Sequence, residues 1–295
     1  MLAYIRIAAA SGALLSLKDL VELLGIDTTE KELEDLVSTD RSLSSQVFIW
    51  SGLVLMKEPG ASSEGAQAAT KNEEKRRLRA IANVEAARTF AQPLIRDAAM
   101  VAVAGTNSYL SAAEDDDIDF YCITKADGMW AFMLKALVLS RVSSVTRKSA
   151  PPFCFSFVLD HRRARDELSM PKDALFARDT LTAKVISGTG AYHELLEWGP
   201  WMSNYFASLY DRRLRESGAT SSPPPKRRGS RVLNSLLFLT VGSYVSLRAW
   251  VLNRKYAKQG RSEDIFTTKI GPDRLEYVSR SYAELGKMYQ PLQKR

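Results

Sequence analysis

Two carboxylates, Asp117 and Asp119, lie in an otherwise apolar run, Asp117-Ile-Asp-Phe-Tyr-Cys-Ile123. An unpaired buried carboxylate is costly, so such a run seldom carries two acids unless a cation lies against them. Residues i and i+2 of a strand face the same side, so both acids should project together while Ile118 and Phe120 enter the core. Paired carboxylates bind hard cations such as Mg²⁺, and two such ions can hold the attacking and leaving oxygens of a nucleotidyl transfer. We therefore predict that Asp117 and Asp119 bind metal.

A glycine turn precedes these acids. The apolar run Val101–Ala104 leads into Gly105-Thr106-Asn107-Ser108, and Asp117 follows twelve residues after Gly105. A glycine turn lets backbone N–H groups approach an anion closely. This order of apolar strand, Gly-Thr turn and Asp-x-Asp strand resembles the DNA polymerase β-like nucleotidyltransferase superfamily, over about residues 80–160. Gly105-Thr106 stands where that family has Gly-Ser, and Asp117 and Asp119 stand at its metal-binding acids.

The resemblance implies an α+β fold in which helices flank a nucleotidyltransferase-like mixed sheet. It implies catalysis by Asp117 and Asp119 with one or two Mg²⁺ ions, and a nucleoside triphosphate as substrate. The phosphates would be held by four consecutive residues, Gly105, Thr106, Asn107 and Ser108. The nucleotidyl group would pass to an acceptor that the sequence leaves open between a protein side chain, a tRNA end and a small molecule.

The sequence departs from the family pattern at two places. Members commonly carry a second glycine five residues after the first, where this chain has Leu110. A third carboxylate usually lies on a later strand, for which Phe153–Asp160 is the best candidate. Ser156 stands in mid-strand where an acid is expected, and Asp160 follows on the same face at the strand end. Asp160 is thus a candidate catalytic residue, with an ordinary strand-end polar residue as the alternative.

Other interpretations of the same residues remain open. The acidic run 114–117 is typical of a solvated loop. A degenerate nucleotidyltransferase would keep the fold and serve as a nucleotide-binding or protein-interaction module without catalysis. A winged-helix regulator with an appended sensor domain is a third interpretation.

Composition restricts the class of protein. The chain has 295 residues, of which 45% are hydrophobic and 25% charged, as in soluble globular proteins. Its net charge of +7 is compatible with anionic partners such as nucleotides or nucleic acid. Cys122 and Cys154 fall in predicted core strands and indicate a reducing, cytoplasmic environment rather than a disulfide framework. Neither His161 nor His193 has a metal-ligating neighbour at useful spacing, which argues against zinc.

The first 58 residues have the order of a winged-helix-like module. Thr29-x-x-Glu32 predicts a capping box at the start of a helix, and Ser51-Gly52 predicts a tight hairpin turn. If the module bound DNA as many winged helices do, the helix near residues 30–37 would contact the DNA. That helix carries four acids: Glu30, Glu32, Glu34 and Asp35. Phosphates would repel it, so we expect no sequence-specific DNA binding and an independently packed docking module.

The rest of the chain divides by composition. Residues 59–72 are predicted as a linker, residues 73–165 as the nucleotidyltransferase core, and residues 166–295 as a helical region. Within that region the longest apolar stretch is 232–252, which Asn234, Gly242, Ser243 and Arg248 interrupt. It falls short of the uninterrupted apolar length of a membrane span. We therefore predict a soluble helix that is buried against the helix at 192–210, and no membrane partner.

Overall fold

The structure is a computed structural model that describes residues 1–10, 13–24, 28–57, 63–146, 151–219 and 229–288. The fold is a mixed α+β arrangement built on two sheets, one of three strands and one of six. The predicted α+β class is therefore confirmed.

The N-terminal segment forms the smaller sheet and the helices that cover it. Its elements in chain order are α1 (Leu2–Ala10), β1 (Leu15–Ser16), α2 (Leu17–Leu24), α3 (Glu30–Thr39), α4 (Arg41–Ser44), β2 (Val47–Trp50) and β3 (Leu53–Met56). The sheet order is β1-β3-β2, with antiparallel pairing throughout. The capping box is present, since the Thr29 side chain accepts from the Glu32 N–H and the Glu32 carboxylate accepts from the Thr29 N–H. The predicted hairpin turn is present too, with left-handed φ values of 50° at Ser51 and 76° at Gly52.

The larger sheet contains the strands that carry or border the candidate site residues. Its strands are β4 (Ala98–Val103), β5 (Ile118–Thr124), β6 (Phe153–Asp160), β7 (Lys184–Ser187), β8 (Phe266–Gly271) and β9 (Arg274–Ser279). The spatial order is β7-β4-β5-β6-β9-β8. Only β5 and β6 pair in parallel, and the other neighbours pair antiparallel. The two strands with the candidate chemistry are therefore central and adjacent.

Helices cover both faces of this sheet. The chain adds α5 (Ser63–Ala91), α6 (Met129–Thr146), α7 (His161–Ser169), α8 (Ala174–Thr182), α9 (Thr189–Trp198), α10 (Ser203–Ala219), α11 (Arg231–Leu237), α12 (Ser243–Lys258) and α13 (Arg280–Met288), with a π-helical turn at Phe238–Gly242. Ile118 and Phe120 of β5 pack on α5 and α6 within one core cluster. Tyr121 and Ile123 pack on α8, α9 and α10 within the other. The alternation predicted for β5 is thus present.

The N-terminal segment is not packed independently, which differs from the prediction. Tyr4 lies 5.7 Å from Phe206 between ring centroids. Glu22 of α2 forms a two-pronged ion pair with Arg212 of α10, at 2.5 and 2.7 Å. Apolar residues of α1, α2 and α3 belong to the same buried cluster as α8, α9 and α10. The small sheet therefore shares its core with the rest of the chain.

Two predicted boundaries are corrected. Residues 63–72 of the expected linker are the first turns of α5, a 29-residue helix, and residues 59–62 lie outside the described residues. The region 166–295 is not wholly helical, since β7, β8 and β9 complete the large sheet. Gly271-Pro-Asp273 supplies the turn between β8 and β9, in which Gly271 pairs with Arg274. Such a Gly-Pro signal favours a turn over the continuous helix that the composition suggested.

The apolar stretch 232–252 is also placed differently from its prediction. It forms α11, the π turn and most of α12, and it packs on α6 and β8 rather than on the helix at 192–210. By length and composition alone, Met129–Thr146 and Arg231–Lys258 could each cross a membrane. Within α6, however, Trp130, Phe132 and Met133 are buried in the core beneath the large sheet. α6 is therefore a core helix with one exposed side.

Candidate metal and nucleotide site

Asp117, Asp119 and Cys154 form the one cluster of metal-ligating side chains found among the described residues. One ligand atom from each lies within 4.8 Å of the other two, and all three residues are half-buried. Asp117 immediately precedes β5, Asp119 is its second residue, and Cys154 is the second residue of β6. The predicted convergence of the two carboxylates is present.

Strand register accounts for this convergence. β5 and β6 run in parallel with Asp119 paired to Cys154, so the starts of both strands meet at one edge of the sheet. β4 is antiparallel to β5, so its end, with Gly105 just beyond it, reaches the same edge. The Ala104 N–H donates to the Asp119 carbonyl at 2.9 Å. A Cβ on Gly105 would lie 3.1 Å from Asp119 Oδ2, so the glycine turn directly borders the carboxylate.

The surroundings of Asp117 and Asp119 disfavour their ionised forms when no cation is bound. Burial, and then the neighbouring charge of Asp117, raise the pKa of Asp119 to about 8, against hydrogen bonds from Ser156 and Cys154. Burial raises the pKa of Asp117 as well. Burial and both carboxylates hold the pKa of the Cys154 thiol well above its ordinary value, which keeps it a hydrogen-bond donor. A cation at this point would favour the ionised form of both carboxyls and so oppose the effect of burial on their pKa values.

The turn after β4 is fixed by its own side chains. The Thr106 hydroxyl donates to Asp116 Oδ2 at 2.7 Å, and the Ala113 N–H donates to the same oxygen at 2.7 Å. The Asn107 amide donates to the Asp117 carbonyl at 2.8 Å, and the Ser108 hydroxyl donates to the Gly105 carbonyl at 2.8 Å. These side chains thus hold the short 3₁₀ turn Gly105–Asn107 beside Asp117. Thr106, Asn107 and Ser108, predicted to hold phosphates, therefore use their side chains within the loop itself.

Helix α5 supports the loop from outside. Asn83, which is buried, donates to the side-chain oxygen of Asn107 at 2.8 Å. Arg76 donates to the hydroxyl and carbonyl oxygens of Ser111, and Arg79 donates to the Ala112 carbonyl at 3.1 Å. Part of the basic character of α5 is therefore used to fix the loop that carries the glycine turn.

Leu110 has a left-handed backbone, with φ of 61°. This conformation costs an L-residue with a side chain roughly 1 kcal/mol, and glycine adopts it freely. Glycine is the residue type that the family resemblance predicts at this position, and the backbone of Leu110 has a conformation that glycine adopts freely.

Asp160 does not join the two acids, which corrects its placement as a third catalytic residue. It ends β6 and pairs with Thr124 at the far end of β5. Its carboxylate caps the start of α7, accepting from the Arg162 N–H at 3.1 Å and from the Asp127 N–H at 2.6 Å. The alternative interpretation, a strand-end polar residue, therefore describes it.

Replacement of this cap should affect stability and leave metal binding unchanged. We expect Asp160→Ala to lower the free energy of unfolding by about 1–2 kcal/mol, the usual cost of a lost N-cap. Denaturant unfolding with and without Mg²⁺ measures both effects. If Asp160→Ala were less stable than the parent and also gained no stability on addition of Mg²⁺, this assignment would be contradicted.

An acid that sequence analysis missed acts on the site from α8. The charge of Asp179 contributes to the raised pKa of Asp119. Asp179 accepts from the Arg178 guanidinium at 2.9 Å, and Arg178 lies over the Tyr109 ring at 4.7 Å. No periodic or motif signal points to Asp179, because it approaches from a helix far along the chain rather than from a neighbouring strand.

The chain was compared with family models, curated proteins and solved structures. None of them matches.

Proposed function

We propose that this protein is a Mg²⁺-dependent nucleotidyltransferase that acts on a nucleoside triphosphate. One observation supports the proposal above all others: Asp117 and Asp119 converge at one sheet edge, against the left-handed Gly105 turn. The left-handed Leu110 at the family's glycine position adds to it. In keeping with the resemblance, we propose that this mixed sheet is nucleotidyltransferase-like.

The donor set fits a hard cation. Mg²⁺ is usually bound through one or two carboxylates together with substrate phosphates, and Asp117 and Asp119 supply such a pair. Bound Mg²⁺ would neutralise charge on the phosphates during transfer. The thiol of Cys154 suits a softer metal, and its raised pKa favours a role as a hydrogen-bond donor to the carboxylates. Cys154→Ser should therefore leave Mg²⁺ binding in place.

The protein's own groups would position the substrate. The backbone N–H groups at the start of the Gly105 turn would face the phosphates, while Thr106, Asn107 and Ser108 keep the turn in shape. Asp179 lies outside the Asp117–Asp119–Cys154 cluster and is paired with Arg178, so we assign it no catalytic role. Rate enhancement would come mainly from positioning and charge neutralisation. A protein side chain, a tRNA end and a small molecule all remain candidate acceptors.

A second candidate function is nucleotide binding without catalysis. It is favoured by Ser156, which stands on β6 beside Asp119 where the family pattern places an acid. Such a protein would bind triphosphate with Mg²⁺ through Asp117 and Asp119 and would transfer nothing.

One experiment separates the two candidates. The purified chain is incubated with α-³²P-labelled ATP, GTP, CTP or UTP and Mg²⁺, alone, with bulk tRNA and with a cell lysate. The first proposal predicts labelled acceptor in one of these mixtures, and no label with Asp119→Asn. Mg²⁺-dependent nucleotide binding with no labelled product would favour the second. If parent and Asp119→Asn bind triphosphates equally with and without Mg²⁺, both are refuted.

For residues 1–58 we propose a winged-helix-like module that serves packing or docking. The order of helices α1, α2 and α3 and the single turn α4, followed by the β2–β3 hairpin with β1 as third strand, supports this. Helix α3 exposes Glu30, Glu34 and Asp35, which would be repelled by phosphates. The expectation of no sequence-specific DNA binding stays a prediction.

A further inference from the structure

Helices α6, α11 and α12 leave a continuous apolar surface on the outside of the molecule, which we call the α6–α12 face. Its side chains are exposed by about half or more: Val138, Val142, Leu236, Leu239, Leu247 and Trp250. Between α6 and α11 the face forms a groove lined by Leu134, Leu137, Leu237 and Val241, with Arg141 and Tyr244 at its edge. Single exposed apolar residues are ordinary, but a contiguous set of this kind marks a contact surface.

Charge on these helices has one sign only. Residues 129–146 and 231–258 contain no Asp or Glu, although the chain has 34 acids in all. They contain seven basic residues: Lys135, Arg141, Arg231, Arg248, Arg254, Lys255 and Lys258. The guanidinium of Arg254 lies over the exposed Trp250 ring at 4.4 Å, and Lys255 and Lys258 flank the same patch. An amphipathic surface with basic borders and exposed Trp is typical of helices that lie in a membrane interface.

Hydrogen bonds on the inward side of the same helices prevent α6 from crossing a membrane as long as the protein is folded. Trp130 donates through Nε1 to the Gly271 carbonyl, and its backbone N–H donates to Asn234 of α11 at 2.8 Å. Asn234 in turn donates to the Pro272 carbonyl at 3.0 Å. These buried bonds tie α6, α11 and the β8–β9 turn to one another. The outward side alone is available to a partner.

We propose that the α6–α12 face binds the surface of a lipid bilayer that contains anionic lipids. The apolar side chains would enter the interface, and the basic residues would meet the headgroups. Lys135 and Arg231 are paired with Asp97 and Asp127. A second copy of the chain is a poorer occupant, because a symmetric pairing would place the other five basic residues of each face against one another. The proposal is independent of the function of the Asp117–Asp119 site, and it replaces the expectation that the 232–252 stretch is buried with no membrane partner.

The test uses the full chain and sedimentation with two kinds of vesicle, phosphatidylcholine alone and phosphatidylcholine with about 30% phosphatidylserine. We expect at least about tenfold stronger binding to the anionic vesicles, and release at about 0.5 M salt, because basic residues near the surface supply the attraction. Leu239→Glu/Leu247→Glu, at positions 65% and 60% exposed, should reduce binding at least about tenfold.

The matched control is Leu78→Glu/Ile81→Glu on α5, at positions 63% and 50% exposed. It makes the same change in charge and apolar area on another surface, and it should bind vesicles like the parent. Circular dichroism checks that both variants are folded. Equal loss of binding in both, or no preference for anionic vesicles, would overturn the proposal. So would a dimer, detected by light scattering, that only the Leu239/Leu247 variant abolishes, or binding that survives carbonate washing.

Discussion

Asp119→Asn is expected to stabilise the metal-free protein at pH 8 and to abolish its response to Mg²⁺. The folded protein keeps the Asp119 proton up to about pH 8, whereas the unfolded chain loses it near pH 4. The folded state therefore binds more protons between these values, and stability falls as pH rises from about 4 to 8. Asn cannot ionise, so the variant should lose less stability over this pH range. At pH 8 its free energy of unfolding should exceed that of the parent by about 1–3 kcal/mol.

Added Mg²⁺ should have the opposite effect on the parent. A cation that binds only the folded state adds about 1.4 kcal/mol at roughly ten times its dissociation constant, and in Asp119→Asn that increase should vanish. Thermal unfolding from pH 5 to 8, with and without Mg²⁺, measures both effects. Asp160→Ala is the control, because its carboxylate lies at the far end of the strand. A parent without any Mg²⁺ response, or an Asp119→Asn variant that keeps one, would contradict the site assignment.

Gly188→Ala is expected to be the most destabilising small substitution near the sheet. Gly188 has φ of 85°, and a Cβ there would lie 1.9 Å from the Ala99 carbonyl oxygen of β4. Neither backbone can move without breaking the pairing of β7 with β4, in which Val101 faces Ser187. The strain of the left-handed residue and the clash together should cost about 3–5 kcal/mol.

Gly260→Ala separates these two contributions. Gly260 also has a left-handed φ, of 70°, but a Cβ there would meet no atom within 4 Å. We expect it to cost only about 1 kcal/mol, the strain alone. Urea unfolding followed by circular dichroism gives both values. Equal costs at the two positions would mean that β4 yields to the added methyl group and that its contact with Gly188 does not hold the strand in place.

Local signals in the sequence predicted local structure well. Thr29 and Glu32 predicted a capping box because all its partners lie within one helical turn. Ser51-Gly52 predicted its hairpin turn for the same reason. The nearness of Asp117 to Asp119 could also be predicted, since strand geometry places alternate residues on one face. Each of these inferences needs only a few consecutive residues.

Contacts between distant segments could not be predicted in this way. The alternation of β6 breaks at the register shift beside Asp119, so Phe157 and Leu159 pack in the opposite core cluster to Phe153 and Phe155. Asp160 is thereby turned away from the face expected for a third acid, and the parallel register places it opposite Thr124, away from Asp119. Asp179 acts on Asp119 from α8, and no spacing rule connects the two. Apolar content alone could not decide whether Leu239 and Leu247 are buried, because burial depends on which neighbours cover the helix.

The order of the strands has a consequence for biosynthesis. β6 lies between β5 and β9, yet β9 follows every other described strand in chain order. Until Arg274–Ser279 has left the ribosome, one side of β6 presents unpaired N–H and C=O groups that can join a strand of another chain. A nascent or truncated product that stops before this point would carry the complete Asp117–Asp119 pair on an open, aggregation-prone sheet. We therefore expect such a truncated product to be bound by chaperones and degraded by proteases rather than to accumulate as a shorter protein.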